Sequence, residues 1–262
     1  MLIKVNGIEI NYELSGKPDA PVVVLSHSLA SSMVMWEPQL GILEPDFQVL
    51  RYDMRGHGNS EVLKGAYTLG MLGNDVIGLL DALDIQSVHF VGLSIGGMIG
   101  QDLALNHADR LKSVTLCNTA PVLPEEAKPL FEGRMAQADD HGMASLVEET
   151  LARWFTGPFL EKDPPIVNQI REQIQATPVD GFIGCSHAIL GLNYLERLSE
   201  INLDTLIIAG EEDPSMPVTA AEAMHHEIRN SELVILSAAA HLSNIEQAEG
   251  FNKVILNFLK NH

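Results

Sequence analysis

The stretch that most constrains this chain is residues 87–106, SVHFVGLSIGGMIGQDLALN. Val88 to Val91 is a β-branched and apolar run bounded by turn formers, which predicts a short buried strand. From Ile95 to Asn106 the apolar residues recur at helical spacing, which predicts a helix. Between them stands Gly92-Leu93-Ser94-Ile95-Gly96, a G-x-S-x-G pattern. A serine on a sharp strand-to-helix turn is forced into a strained backbone conformation. A Cβ on either flanking glycine would collide with the neighbouring strand and helix. The strain is expected to hold the Ser94 hydroxyl above the sheet. The helix behind it aims backbone N–H groups and the positive end of its dipole at negative charge near that serine. This is what a hydroxyl needs in order to attack a carbonyl.

The flanking chain alternates in a way that suits such a turn. Leu2–Val5 and Ile8–Leu14 are alternating runs joined at Asn6-Gly7, a hairpin signal. Pro21–Ser26 is a continuous apolar run, hence a buried strand, and His27-Ser28-Leu29-Ala30 follows it. A helix is expected near Met35–Leu43, then a strand at Phe47–Tyr52 that ends in Asp53-Met54-Arg55-Gly56-His57-Gly58. A helix over about Leu69–Leu83 precedes the Ser94 strand, and Leu111–Leu116 is the next strand. Strand and helix thus alternate over residues 20–117, which predicts a mostly parallel sheet with helices on both faces. Ligands then gather at the carboxyl ends of the strands. Ser26, His27, Asp53 and Ser94 all sit at such ends.

Residues 121–198 change character. The β-branched runs stop, and Pro121, Pro124, Pro129, Pro158, Pro164, Pro165 and Pro178 punctuate short helical segments. The expectation is a cap of four helices, about 124–139, 143–155, 163–175 and 180–191, inserted over the strand ends. Alternation returns with a strand at Thr205–Ala209, a helix at Val218–Glu227, a strand at Glu232–Leu236 and a C-terminal helix over about Glu246–Leu259. This gives an α/β class, a core of residues 1–120 and 199–262, and a helical cap of residues 121–198.

Composition narrows the function classes. A net charge of −19 argues against nucleic acid and anionic membranes as partners. No apolar run spans a membrane and the N-terminus lacks a signal-peptide layout, so a cytoplasmic location is expected. Gly56 and Gly58 lack the spacing of a phosphate-binding loop. Cys117 and Cys185 form no disulfide framework, and Cys117 ends an apolar strand as a core residue. The ten histidines contain no H-E-x-x-H pattern, and the adjacent His225 and His226 read as surface residues. No metal is expected. The oligomeric state, homo-oligomer included, stays open.

A lone serine hydroxyl is a poor nucleophile at neutral pH and needs a base, which in turn needs an orienting acid. Asp213 follows the strand at 205–209 and His241 follows the strand at 232–236. Glu211 and Glu212 are rival acids. In this reading Ser94 attacks, His241 relays the proton and Asp213 fixes the imidazole. The oxyanion takes two backbone N–H groups, from Ile95 and, by position after strand 21–26, from Leu29. His27 reads as a loop-former and His57 as part of a turn.

With these residues assembled, the chain resembles the α/β-hydrolase superfamily over its whole length. The motifs are RYDMRGHGNS at 51–60, GLSIGG at 92–97, AGEEDPSMP at 209–217 and AAHLSN at 239–244. Within it the chain is similar to the 3-oxoadipate enol-lactonases, through SLASSMVMWEPQL, YTLGMLGNDVIGLLDAL, HFVGLSIGGMIGQ, RLKSVTLCNTA, RWFTGPF and AHLSNIEQ. The resemblance implies an α/β-hydrolase fold with an eight-stranded sheet. It also implies hydrolysis of a carboxylate-bearing enol-lactone in the breakdown of protocatechuate and catechol, with no metal or cofactor. Arg153 and Trp154 would face the substrate from the cap, Arg153 pairing with its carboxylate, and Arg134 is the weaker alternative. Ser28, where many relatives carry glycine, lies in the loop after strand 21–26 and is a further substrate-binding candidate. The runner-up is a broad-specificity carboxylesterase with a perhydrolase side activity. A third reading is a binding protein that keeps the fold and leaves Ser94 unused.

Overall fold

Four mainly apolar strands, β3 (Val22–Ser26), β5 (Val88–Leu93), β6 (Leu111–Cys117) and β7 (Asp204–Gly210), form the buried centre of the protein in a computed structural model of residues 1–262. Strands covered on both faces read as continuous apolar runs, and these four are buried almost throughout. With β1 (Leu2–Val5), β2 (Ile8–Gly16), β4 (Gln48–Tyr52) and β8 (Ser231–Leu236) they make one eight-stranded sheet. Its order is β1-β2-β4-β3-β5-β6-β7-β8. The β1–β2 hairpin and the β2–β4 pair are antiparallel, and all other neighbours are parallel.

The helices form a layer on each face. α1 (Glu37–Leu43) lies on β4, and α11 (Ala248–Asn261) lies on β8 and on α1. α11 buries Phe251, Ile255, Phe258 and Leu259, one stripe at helical spacing. α2 (Leu69–Ala82) packs on α3 (Ile95–Asn106), which covers β5 and β6, while α9 (Val218–Glu227) covers β7 and β8. The Thr68 hydroxyl caps α2 by accepting from the Met71 N–H at 3.1 Å.

Between β6 and β7 the chain forms five helices: α4 (Lys128–His141), α5 (Val147–Trp154), α6 (Gly157–Glu161), α7 (Pro165–Ala176) and α8 (Val179–Leu190). The expected helix 143–155 opens as a tight 3₁₀ turn at Met143–Leu146 before α5. The unexpected helix is α6, which carries Pro158 in its first turn, where a missing N–H costs nothing. The last helix likewise starts late, after a separate short turn α10 (Ser243–Glu246). His225 and His226 are exposed, and Cys117 is buried.

Candidate active site at the strand ends

Ser94 stands between β5 and α3 with φ 59° and ψ −118°, a conformation costly for any residue with a side chain. The surroundings enforce it. The Ser94 N–H donates to the Cys117 carbonyl at 2.9 Å, and the Thr119 hydroxyl donates to the Ser94 carbonyl at 2.8 Å. A Cβ on Gly92 would lie 2.1 Å from the Gly96 carbonyl oxygen, and one on Gly96 would lie 2.3 Å from the Ser26 carbonyl oxygen. Both glycines are therefore steric necessities of the turn.

Asp213 and His241 follow the ends of β7 and β8, and His241 Nδ1 lies 2.8 Å from Asp213 Oδ2. The side chain of Asp213 is fully buried and that of His241 nearly so. Asp213 Oδ1 accepts from the N–H groups of Ser215 at 2.8 Å and Met216 at 3.0 Å. Burial pushes the Asp213 carboxyl up, but His241 and the hydrogen bonds from His241, Asn118 and Met216 outweigh it and hold the group below its ordinary value. It stays ionised beside the imidazole. Glu211 and Glu212, the rival acids, are exposed. An imidazole whose Nδ1–H is given to a carboxylate keeps Nε2 free as a base. Ser94 and His241 line the same cavity.

Two neighbours of this pair escape sequence reasoning. Asn118, at the end of β6 with φ 44°, donates from Nδ2 to Asp213 Oδ2 at 3.0 Å and to the Ala240 carbonyl at 3.1 Å. The Ser243 hydroxyl donates to Asn118 Oδ1 at 2.6 Å. Asparagine is among the few residues that tolerate a left-handed backbone, so Asn118 after a strand was the available signal.

The loop after β3 is held from three sides. His27 Nε2 accepts from the Met54 N–H at 3.0 Å, and its Nδ1 meets the Ser28 carbonyl at 2.7 Å. His57, read from the sequence as a turn residue, is fully buried and accepts at Nε2 from the Ala30 N–H at 3.0 Å. Burial, and then the neighbouring His27, pull His57 down to about 3, so it is a neutral acceptor. From α7, Gln173 Oε1 accepts from the Ser31 hydroxyl at 3.0 Å and from the Ser32 hydroxyl at 3.1 Å. The Leu29 N–H takes no protein partner, and the Ile95 N–H, first of its helix, has none within the helix. The Ser28 hydroxyl is buried, unpartnered, and lines the cavity.

The cavity holds about 420 Å³, and its walls are mostly apolar, with Met98, Leu123, Leu130 and Leu195 among them. Trp154 lies over His241, ring centroids 6.3 Å apart and planes 30° apart. Two cations interrupt the apolar wall. Arg153 is partly exposed, 3.7 Å from the Glu149 carboxylate. Arg134 is 9% exposed, sits over the rings of Phe131 and Phe182, and meets no carboxylate. Both guanidinium groups share the Thr150 hydroxyl, at 3.4 Å from Arg134 and 3.3 Å from Arg153. Burial, and then the charge of Arg153, lower Arg134 to about 10, and Arg134 Nε has no partner. The sequence ranks Arg153 above Arg134. In the structure Arg134 is the more buried of the two and touches no carboxylate, whereas Arg153 lies beside Glu149. No cluster of His, Cys, Asp and Glu has the arrangement of a metal site. No helix is long and apolar enough to cross a membrane.

These groups can together activate a hydroxyl, receive an oxyanion and attract an anionic ligand. The chain is 35% identical over 260 residues to 3-oxoadipate enol-lactonase 1 of Acinetobacter baylyi, spanning 99% of this chain and 96% of that one. The crystal structure of the enol-lactonase from Burkholderia xenovorans LB400 superposes with a TM-score of 0.96 at 37% identity, covering 99% of this chain and 100% of that one. A thermophilic esterase from Thermogutta terrifontis, solved with malate bound, superposes with a TM-score of 0.94 at 27% identity, covering 100% and 98%. A sequence model of the α/β hydrolase fold matches residues 21–248, and the chain belongs to the α/β-hydrolase family, with enol-lactonases and esterases among its relatives.

Proposed function

We propose that this protein is a serine hydrolase of carboxylate-bearing esters and lactones, with 3-oxoadipate enol-lactone, an intermediate of aromatic catabolism, as its substrate. Residues 121–198 serve in this reading as a cap over a core of residues 1–120 and 199–262. Ser94 Oγ attacks the lactone carbonyl carbon while His241 Nε2 takes its proton, and Asp213 holds the imidazolium that forms. The oxyanion is received by the N–H groups of Leu29 and Ile95. Collapse breaks the ring C–O bond, and His241 returns the proton to the departing enol oxygen, which stays tethered to the acyl group. Water then attacks the acyl-enzyme with His241 as base, releasing the acid and restoring Ser94.

The observation that carries the carboxylate requirement is Arg134, a buried guanidinium without a carboxylate in the wall of the cavity that holds Ser94. A buried cation with no carboxylate in contact, and Glu149 acting on it only from a distance, is costly unless a nearer anion answers it. Arg153 beside it, half-committed to Glu149, completes the clamp. The identities of 35% and 37% to enol-lactonases support the same substrate.

The second reading, a carboxylesterase for uncharged acyl groups, is favoured by one observation. A mostly apolar cavity of about 420 Å³ is roomier than a small lactone needs. Turnover of 3-oxoadipate enol-lactone beside a neutral p-nitrophenyl ester separates the two readings. A higher kcat/KM on the lactone is expected. A preference for the neutral ester moves the protein to the second reading. A Ser94→Ala preparation that still hydrolyses either would overturn both.

A further inference from the structure

The residues on either side of His241 are both tied to the segment that carries Trp154. The Leu242 N–H donates to the Trp154 carbonyl at 3.0 Å. The Ala240 N–H donates to Glu246 Oε2 at 2.8 Å. The other oxygen of that carboxylate, Oε1, accepts from the Thr156 N–H at 3.0 Å and from the Thr156 hydroxyl. Glu246 is 8% exposed, and its three donors are all uncharged.

The element bearing Glu246 is anchored in the core. Asn244 of α10 donates to the Met35 carbonyl at 3.0 Å and to Gln39 Oε1 at 3.1 Å, and its own carbonyl accepts from Gln39 Nε2 at 2.9 Å. From this fixed turn Glu246 reaches one way to the residue before His241 and the other way to Thr156. A carboxylate has four lone-pair directions and no donor of its own, so it alone among similar-sized side chains accepts from both partners at once. An amide in its place would turn an N–H₂ against the N–H of Ala240 or of Thr156.

We infer that Glu246 is a positioning residue that couples the Trp154–Thr156 segment to the His241 loop, so that the seating of the cap sets the orientation of the imidazole. The inference rests on the reading of Ser94, His241 and Asp213 as a triad. Arg153 adjoins Trp154 in the chain, so an anion drawn to the two guanidinium groups bears on the same segment. Binding at the cap and alignment of the base thus share one hydrogen-bonded path.

The test joins kinetics on a neutral p-nitrophenyl ester to the downfield NMR resonance of the His241 Nδ1 proton. Glu246→Gln is expected to lower kcat roughly 10- to 100-fold, the scale of a small misplacement of a catalytic group, with KM within about threefold. The His241 resonance should shift or broaden. Thr156→Val should move both readouts in the same direction by less, and Thr156→Ser should recover what Thr156→Val loses. Folding is checked by circular dichroism, and if Glu246→Gln fails to fold, Thr156→Val and Thr156→Ser carry the same comparison. A folded Glu246→Gln protein with kcat within twofold of wild type, or with its His241 resonance unmoved, overturns the inference. A wild-type protein that cleaves no ester sinks the triad reading instead, and the NMR comparison, which needs no turnover, still decides the role of Glu246.

Discussion

The strand-end platform and the helical segment above it are built by different rules. On the platform, geometry is set by backbone. Ser94 occupies a conformation that the two neighbouring glycines make sterically feasible, and the N–H groups of Leu29 and Ile95 are left without partners by the course of the chain. In the helical segment, geometry is set by side chains from helices far apart in sequence. Arg134 of α4 meets Thr150 of α5 and Phe182 of α8. In the proposed function the platform fixes what reaction is feasible, and the helices above it select the substrate.

Substitutions can break that division of labour. The largest effect is expected on the platform: Ser94→Ala and His241→Ala should each cut kcat/KM for any ester by about 10⁴-fold or more with the fold intact. A clean preparation of either that retains most activity would contradict the mechanism. Next comes Gly92→Val, whose new Cβ would lie 2.1 Å from the Gly96 carbonyl oxygen. It should cost roughly 3 kcal/mol or more of stability and abolish turnover, since the obstacle is backbone and cannot swing aside. A urea melt with an unchanged midpoint would show that the turn does not need its glycine.

The helical segment should behave in the opposite sense. Arg134→Met should lower kcat/KM for the acidic lactone about 30-fold or more while changing the neutral ester less than threefold. It should also leave the unliganded protein as stable or up to about 2 kcal/mol more stable, because it removes an unpaired buried charge. Thermal melting and the two substrates check this together, and a destabilised variant would mean that the contacts of Arg134 with Thr150, Phe131 and Phe182 outweigh the cost of its buried charge.

The smallest effect concerns the prop beneath the Leu29 loop. His57 is held down at about 3 against an ordinary value of 6.5, so the unfolded chain takes up a proton that the native state refuses between those values. Stability from this burial is present above 6.5 and is lost as pH falls toward 3. The melting temperature should therefore be lower at about pH 5 than at about pH 7. An equal or higher value at the acid end would contradict the neutral His57.

What was legible in the sequence follows the same division. The sheet could be read because the mainly apolar, β-branched runs at β3, β5, β6 and β7 are local patterns. Ser94, Asp213 and His241 could be named because each follows a strand, β5, β7 and β8 in turn, and Asp213 and His241 lie 2.8 Å apart. The burial of Arg134, the reach of Gln173 to Ser31 and of His57 to Ala30, and the bridge from Asn118 to Asp213 left no local trace. Those contacts join residues 142, 27 and 95 positions apart in the chain. No periodicity spans such distances. The 3₁₀ opening of the expected helix 143–155 and the further helix α6 likewise have no periodic signal of their own.

The central claim is that a buried cation over a serine nucleophile selects a carboxylate-bearing substrate. Its most direct test is the ratio of kcat/KM for 3-oxoadipate enol-lactone to that for a neutral p-nitrophenyl ester, measured in wild type and in Arg134→Met. The account predicts a ratio well above one in wild type that collapses by at least an order of magnitude in the variant, through loss of the lactone reaction alone. Equal losses on both substrates, or an unchanged ratio, would contradict it.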